Sequence, residues 1–524
     1  MMRRLKDLAP SPLAGEGWGE GGKAMLHPHS MGNANNTPGG MIRKTTLPTL
    51  LLIGSLLSAC TVGPDYVRPE PQMPEQWRTT TSETLADTDL LWWQGFNDPV
   101  LNQLITDAVS SNKDIQLARA RVDQYLGALQ TTRSAYFPQI GAGADASRTR
   151  STEASASPFP SSVANPSGMY AAQFNLAWEI DLFGRTRRAT EAAQAQVQAT
   201  EEERRAVMLS VVAGIASSYI ALRASDAKLA IAQATLKNYA DTLHIFELRF
   251  KGGVISQLQL AQVQSQYQLA QAAIPGIEQQ IAVQENLLST LLGRNPGEIP
   301  RGKPLDKLAM PPIPAGLPAS LLQRRPDILS AEAQLVAANA QVGVARSLYF
   351  PSLSLTGALG TASNPLSSLF SGQAQAWNMA AGLTAPLTTF GQIEGQVQSA
   401  EAVYEQAKIR YLQSAQTALR EVNDALTGID KTRQTLSAQQ KRVLALQESA
   451  YFARLRFDNG LTSYLEVLNS EDDLFSAQLT AVDAQSAGFG EMINAYKAMG
   501  GGWVDKVDPV KDSVKNTNSS SAGS

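Results

Sequence analysis

"DIQLARARVDQYLGALQTTRSAYFPQI" (residues 114–140) and "DILSAEAQLVAANAQVGVARSLYFPSL" (residues 327–353) align without a gap at an offset of 213, sharing Asp-Ile, Arg-Ser and Tyr-Phe-Pro. Phe183-Gly184 then matches Phe390-Gly391, and "RFKGGVISQL" from Arg249 matches "RFDNGLTSYL" from Arg456, both at an offset of 207. The two offsets differ by six residues, which belong in a loop between the matched blocks. A repeat of roughly 200 residues is too long for a solenoid unit and fits a duplicated domain.

Within each half the hydrophobic period changes in the same order. Residues 98–133 follow a helical period, and after Tyr136-Phe137-Pro138 the period becomes two. In "QFNLAWEIDL" (residues 173–182), Phe174, Leu176, Trp178, Ile180 and Leu182 alternate with Gln173, Asn175, Ala177, Glu179 and Asp181. That pattern predicts a strand with one apolar and one wet face. Trp377, Met379, Ala381, Leu383 and Leu387 repeat the phase in the second half, and residues 140–147 and 353–361 supply the partner strands. The chain should therefore carry two hairpins, four strands in all.

A very long helix should follow each hairpin. Between Thr186 and Phe250 only Gly214 interrupts, and Leu222, Leu229, Leu236, Leu243 and Phe250 recur every seven residues. Their repeat equivalents are Ile429, Leu436, Val443, Ala450 and Phe457. Sustained heptads make helices supercoil against neighbours. A second helix should return after Gly253 and another after Gly460, with a kink expected at Pro275-Gly276. The abundance of Ala, Gln and Ser suits a thin wall wetted on both sides.

A hairpin with one apolar face cannot sit in lipid as an open sheet, because its unpaired edge groups would be stranded. Four strands are too few to close, since membrane barrels start at about eight. Each chain should therefore contribute part of a barrel built by several copies; two copies would give a nearly filled interior and three a channel.

The 524 residues carry a formal net charge of -3, which offers no broad basic surface for nucleic acid. Of three histidines, His27 and His29 lie in a Gly-rich leader and His244 adjoins a heptad position, so it reads as a helix-surface residue. Neither H-E-x-x-H nor G-x-S-x-G occurs, and the chain is expected not to be an enzyme, with no metal and no cofactor. The single cysteine, Cys60, excludes an internal disulfide. It closes "MIRKTTLPTLLLIGSLLSAC" (residues 41–60), which has a basic start, an apolar run and small residues before the cysteine. The segment is too short to span a membrane and reads as an export signal. Leu57-Ser58-Ala59-Cys60 looks like a bacterial lipobox, so a covalent lipid on Cys60 is expected. Thr61 in place of Asp implies sorting to the outer membrane. Residues 1–40 precede this signal, and translation is expected to start at Met41. Gly17, Gly19 and Gly22 fit G-x-G-x-x-G without a flanking strand and helix, so no nucleotide site is expected there.

Taken with "CTVGPDYVRP" from Cys60, "WWQGFNDPVLNQLI" from Trp92, both Tyr-Phe-Pro turns, "LLQRRPDI" from Leu321, "RFDNGLTSYLEVLNSEDDLFSAQ" from Arg456 and the ending "YKAMGGGW", residues 60–503 resemble a family. It comprises the outer membrane channels of tripartite efflux pumps, of the OprM and NodT lipoprotein type within the TolC superfamily. The resemblance implies a mostly α fold, internally duplicated, with a membrane β hairpin in each half. It implies a homotrimeric 12-stranded β-barrel in outer membrane lipid, continued by a long periplasmic α-helical barrel. The partners implied are a periplasmic membrane-fusion adaptor and an inner-membrane pump, most often of the RND type. The expected organisation is a leader at 1–40, a signal at 41–59, a mature arm at 60–97, a first repeat at 98–292, a link at 293–318, a second repeat at 319–503 and a disordered tail at 504–524.

The same resemblance implies a periplasmic gate at the return turn of the second helix pair. The apolar constriction falls on Leu465 and the acidic positions on Glu466 and Asn469, of which the second carries no charge. Asp472, within the run Glu471-Asp472-Asp473, stands where OprM-like channels have a basic residue. Gln259 is the first-half position aligned with Glu466. The function expected is a passive exit duct for small toxic compounds. The alternatives are the outer component of a type I protein secretion system and a non-conducting structural lipoprotein.

Overall fold

The computed structural model describes residues 61–78, 91–154, 164–313, 318–500 and 502–507, all within one compact unit, 57–524. The signal segment and Cys60 lie outside the described residues. The first half runs α1 (Pro99–Ser111), α2 (Lys113–Ser134), β1 (Gln139–Thr149), β2 (Ser167–Ile180), α3 (Arg185–Lys251) and α4 (Gln257–Leu291). The second runs α5 (Pro326–Ser347), β3 (Ser352–Ser363), β4 (Gln375–Thr384), α6 (Gln392–Asp458) and α7 (Tyr464–Ala498). Helices α2 and α5 are both 22 residues long, α3 and α6 both 67, and α4 and α7 both 35. Each pair starts and ends at the offset read from the sequence. At 1.5 Å per residue, α3 and α6 each extend about 100 Å.

Two details depart from the sequence reading. The helical stretch 98–133 divides at Asn112, whose backbone turns to φ -60° and ψ 134° while its side chain caps the amides of Asp114 and Ile115. Helix α4 is continuous through Pro275, the position of the expected kink. Of the predicted heptad set Leu222 is fully buried, but beyond it the tightest seam of α3 is the set three residues later: Ala232, Tyr239 and Phe246 are 0%, 3% and 2% exposed, whereas Leu229, Leu236 and Leu243 are half-buried and Phe250 is exposed. A coiled-coil stripe has two apolar positions per heptad. Tyr239 with its hydroxyl and Ala232 with its small side chain hid the second from a search for large apolar residues.

The four strands form one antiparallel sheet in the order β1-β2-β3-β4. The two hairpins are joined through β2 and β3, with Phe174 opposite Leu359 and Ile180 opposite Leu353. The predicted alternation of Phe174, Leu176, Trp178 and Ile180 lies inside β2, while Leu387 falls beyond the end of β4 at Thr384.

Below the sheet the large core gathers Trp92, Trp93, Phe96, the middle of α3 and the ends of α4 and α7. The most apolar stretch of α3 is buried here, including Val212, Ile215, Ala216 and Ile220. The ring of Trp92 stacks on Tyr496 at 5.3 Å, and Trp93 meets Trp503 edge-on at 4.8 Å. The tail expected to lack structure from 504 instead begins with a helical turn, Val504–Val507, anchored by buried Trp503 and Val504. Residues 508–524 lie outside the described residues.

Asp98 ties this core to the link between halves. Fully buried, it accepts from the Val100 amide at 2.9 Å as the cap of α1, from the Tyr219 hydroxyl at 2.9 Å and from the Lys303 amide at 3.0 Å. The Tyr219 hydroxyl in turn accepts from the Gly302 amide at 2.9 Å. A Cβ on Gly302 would lie 2.1 Å from the Asp98 carboxylate, so only glycine lets the link approach this closely. The arm begins beside the sheet, where the Val62 amide donates to the Phe183 carbonyl, and reaches α6, where the Arg78 amide donates to Asn423 Oδ1. On the way Arg188, 6% exposed, donates to the Asp65 carboxylate at 2.7 Å.

Asp98→Ala removes a helix cap and leaves buried donors on Tyr219 and Lys303 without an acceptor. The expected loss is about 3 kcal/mol, read as a lower denaturation midpoint.

Candidate membrane sheet and helix-tip gate

Two faces of the sheet differ in chemistry because opposed residues in an antiparallel pair share a face. Successive cross-strand rows place Ile140, Leu176, Gly357 and Met379 in one line, and Ala142, Phe174, Leu359 and Trp377 in the next. Of these, Ile140, Phe174, Leu359, Trp377 and Met379 are 61–83% exposed, giving an apolar band across all four strands. The opposite face carries Gln173, Asn175, Glu179, Ser354, Thr356 and Asn378. The inner strands β2 and β3 are mostly half-buried, whereas β1 is exposed along its whole length and β4 nearly so.

At the far ends of the long helices both return turns are built alike. Gly253 and Gly460, each at φ +70° to within a degree, close α3 and α6. The Val254 amide donates to Arg249 O and the Leu461 amide to Arg456 O, both at 2.9 Å, so the last carbonyls are satisfied by a left-handed glycine cap. The two turns are clamped together by Phe246, Phe457 and Tyr464, with Phe246 and Tyr464 centroids 4.3 Å apart. The Arg249 guanidinium lies 5.8 Å and 5.9 Å from the Phe246 and Phe457 rings.

The gate candidates do not share one environment. Leu465 is 47% exposed, Asn469 is exposed and Asp472 is half-buried; their spacing puts them on one face of α7. Glu466 turns away from that face and accepts from Arg456 at 3.0 Å and from the Thr462 hydroxyl. Gln259 occupies the same third position of α4, but its side chain accepts from the Ser256 amide at 2.9 Å in a capping box. His244 is exposed, as expected.

The arrangement of sheet, twin helix pairs and return turns matches known proteins along nearly the whole chain. Residues 104–294 and 317–501 match the family described as Outer membrane efflux protein. The chain belongs to that family. The resemblance read from its motifs is thus borne out. The solvent efflux pump outer membrane protein SrpC of Pseudomonas putida is 34% identical over 468 residues, covering 87% of this chain and 98% of the relative. The cation efflux system protein CusC of Escherichia coli is 32% identical over 456 residues, covering 85% and 96%. The open state of the MtrE outer membrane channel of Neisseria gonorrhoeae superimposes with a TM-score of 0.77 at 30% identity, covering 85% of this chain and 99% of that one. As a family member the chain is an efflux protein of the outer membrane.

Sequence reasoning missed one group at the tip. Of the run Glu471-Asp472-Asp473, Glu471 turns inward, 3.9 Å from Arg454 and beside Tyr239 and Tyr464. Burial pushes its carboxyl above the usual range, with Arg454 opposing the shift. The signal was present as spacing: Tyr464, Leu468, Glu471 and Phe475 lie on the inward face of α7.

Two expectations follow. Phe246→Ala opens the aromatic clamp and costs about 3–5 kcal/mol, whereas Glu466→Ala removes only an exposed pair worth under about 1 kcal/mol; amide exchange at the tips distinguishes them. Because the folded carboxyl of Glu471 holds its proton more tightly than the unfolded one, its contribution to stability falls as pH rises above its ordinary value of 4.5. Glu471→Gln should therefore raise the thermal midpoint at pH 7 and leave it unchanged near about pH 3, where the carboxyl is protonated in both states.

Proposed function

We propose that three copies assemble into a 12-stranded barrel continued by a helical tunnel, forming the outer membrane exit duct of a tripartite efflux system. The observation that carries this reading is the four-stranded sheet with an apolar band on one face and both edges unpaired. In hydrocarbon those edges need partners, and four strands from each of three copies give a ring wide enough to conduct. The helices, slim and half-exposed along α6, suit a wall completed by neighbouring copies. A periplasmic adaptor and an RND-type inner-membrane pump would supply the connection and the energy, and small apolar or cationic compounds would be the cargo. The relatives SrpC, a solvent efflux protein, and CusC, a cation efflux protein, lend support to cargo of that size.

At the tips we assign the constriction to a ring of Leu465, with Asn469 and Asp472 on the same face as a polar, cation-attracting throat. Glu466 then serves the turn, through Arg456, more than the throat. Acylated Cys60 would tether the arm to the inner leaflet while the sheet provides the second anchor. No cofactor is required beyond that lipid.

Purified protein in planar bilayers tests the duct. The wild type should conduct weakly and Leu465→Ala should increase the conductance several-fold; a trimer that conducts in neither form overturns the reading. Mass spectrometry of the mature chain should find acyl groups on Cys60, and Cys60→Ala should lack them while still yielding membrane-inserted trimer.

A further inference from the structure

We infer that the cavity between α3, α6 and α7 near the helix tips binds a small organic ammonium ion, with its charged group between the Glu471 carboxylate and the Tyr239 hydroxyl. The inference goes beyond the duct reading. It assigns a ligand site in the helix wall, on a face of α7 other than that of Leu465, and it needs residues of one chain only.

The cavity measures about 590 Å³, room for a ring and a short chain. Tyr239, from α3, lines it and is 3% exposed; its hydroxyl is buried with no hydrogen-bond partner among the described residues. Glu471, from α7, lines the same space, and its Oε2 is likewise buried without a partner. The two do not bond to each other, although Tyr239 lies within the field of Glu471 and of Asp472. Arg454, from α6, does not discharge the carboxylate. Its guanidinium is 3.9 Å from Glu471 Oε1, beyond hydrogen-bond reach, and 3.8 Å from Asp458, so one positive charge faces two negative ones.

That balance selects the ligand. An anion is repelled by Glu471, and a neutral apolar molecule leaves both buried oxygens unpaired, which is costly. A hard metal cation takes six or more oxygens, more than one carboxylate and a few neutral groups supply. An ammonium brings three donors, enough for Glu471 Oε2, the Tyr239 oxygen and the Thr235 hydroxyl on the same wall. Its apolar body then lies against Leu474 and Phe475, and aromatic rings beside a cation add to the attraction. The internal repeat shows that the helix scaffold does not itself call for this set. At the offset of 207, Tyr239 corresponds to Leu446, Glu471 to Gln264, Arg454 to Glu247 and Phe475 to Gln268. None of the four equivalents keeps the ring or the charge.

The test is amide exchange and titration calorimetry on the full-length protein in detergent, with phenethylammonium chloride as the probe. Phenethyl alcohol, its neutral counterpart, and hydrocinnamate, an anion of similar size, are compared at the same ionic strength. Phenethylammonium should slow exchange within residues 230–239 and 471–478, and the other two should not. Glu471→Gln keeps the side-chain shape and should weaken binding about tenfold or more, and Tyr239→Phe about threefold or more. Glu278→Gln, which removes an exposed carboxylate on α4, should bind as the parent does. The thermal midpoint reports whether each variant is folded, and if Glu471→Gln is not, Tyr239→Phe decides. Equal protection by the alcohol, or affinity unchanged in the folded variants, overturns the assignment. So does the absence of protection at about 10 mM, an affinity that a ligand of this size should at least reach. Conductance in planar bilayers is scored separately, so failure of the ligand site leaves the duct reading standing and failure of the duct leaves the site.

Discussion

Backbone hydrogen bonding in a solvent that offers none is the constraint on which the rest of this structure depends. A sheet with an apolar face built from Ile140, Phe174, Leu359, Trp377 and Met379 is suited to lipid, yet β1 and β4 leave a row of donors and acceptors open on each side. Each such group costs several kcal/mol in hydrocarbon. No rearrangement within one chain removes the cost, because four strands cannot close. On the proposed assembly the demand is passed to other copies, and the chain serves as one segment of a ring.

That demand explains why the two halves of the chain are alike below the membrane as well. A ring that alternates first and second halves has to present the same interface twice per copy, once within the chain and once between chains. Helices of equal length, 67 and 35 residues in both halves, keep the two interfaces level along about 100 Å. Where equivalence breaks, the residues have taken separate tasks. Gln259 caps its helix through Ser256, whereas Glu466 at the matching position reaches Arg456; Phe246 fills the clamp where its equivalent Ala453 makes room.

Periodicity made the strands, the long helices and their boundaries legible, since each rests on local repetition that a single chain displays. The contents of the tip were less so. Leu465, Asn469 and Asp472 share a face that follows from 3.6-residue spacing, and the same spacing puts Glu471 on the inward face with Tyr464, Leu468 and Phe475, but that it lies beside Tyr239 of α3 is set by tertiary packing. The second heptad position of α3 went unread for a related reason: Ala232 and Tyr239 are buried by what packs on them, and that partner is named only by tertiary structure. The bonds of Asp98 to Tyr219 and Lys303 likewise depend on the link folding back over it.

The distribution of rigid and adjustable parts follows from these placements. Around Asp98 the link, α1 and α3 are joined by buried bonds, and Arg325, 7% exposed, binds Asp327, Glu421 and the Ala498 carbonyl in the same layer. A layer so tied cannot open without stranding buried charge. At the tips, by contrast, the polar contacts are exposed pairs such as Arg456 with Glu466, and the apolar clamp is confined to a small cluster. On the proposed reading, motion that changes the width of the duct belongs at the tips, where the exposed polar pairs cost little to break and Leu465 stands on the exposed face, while the layer around Asp98 and Arg325 holds the helices in register with the strands above.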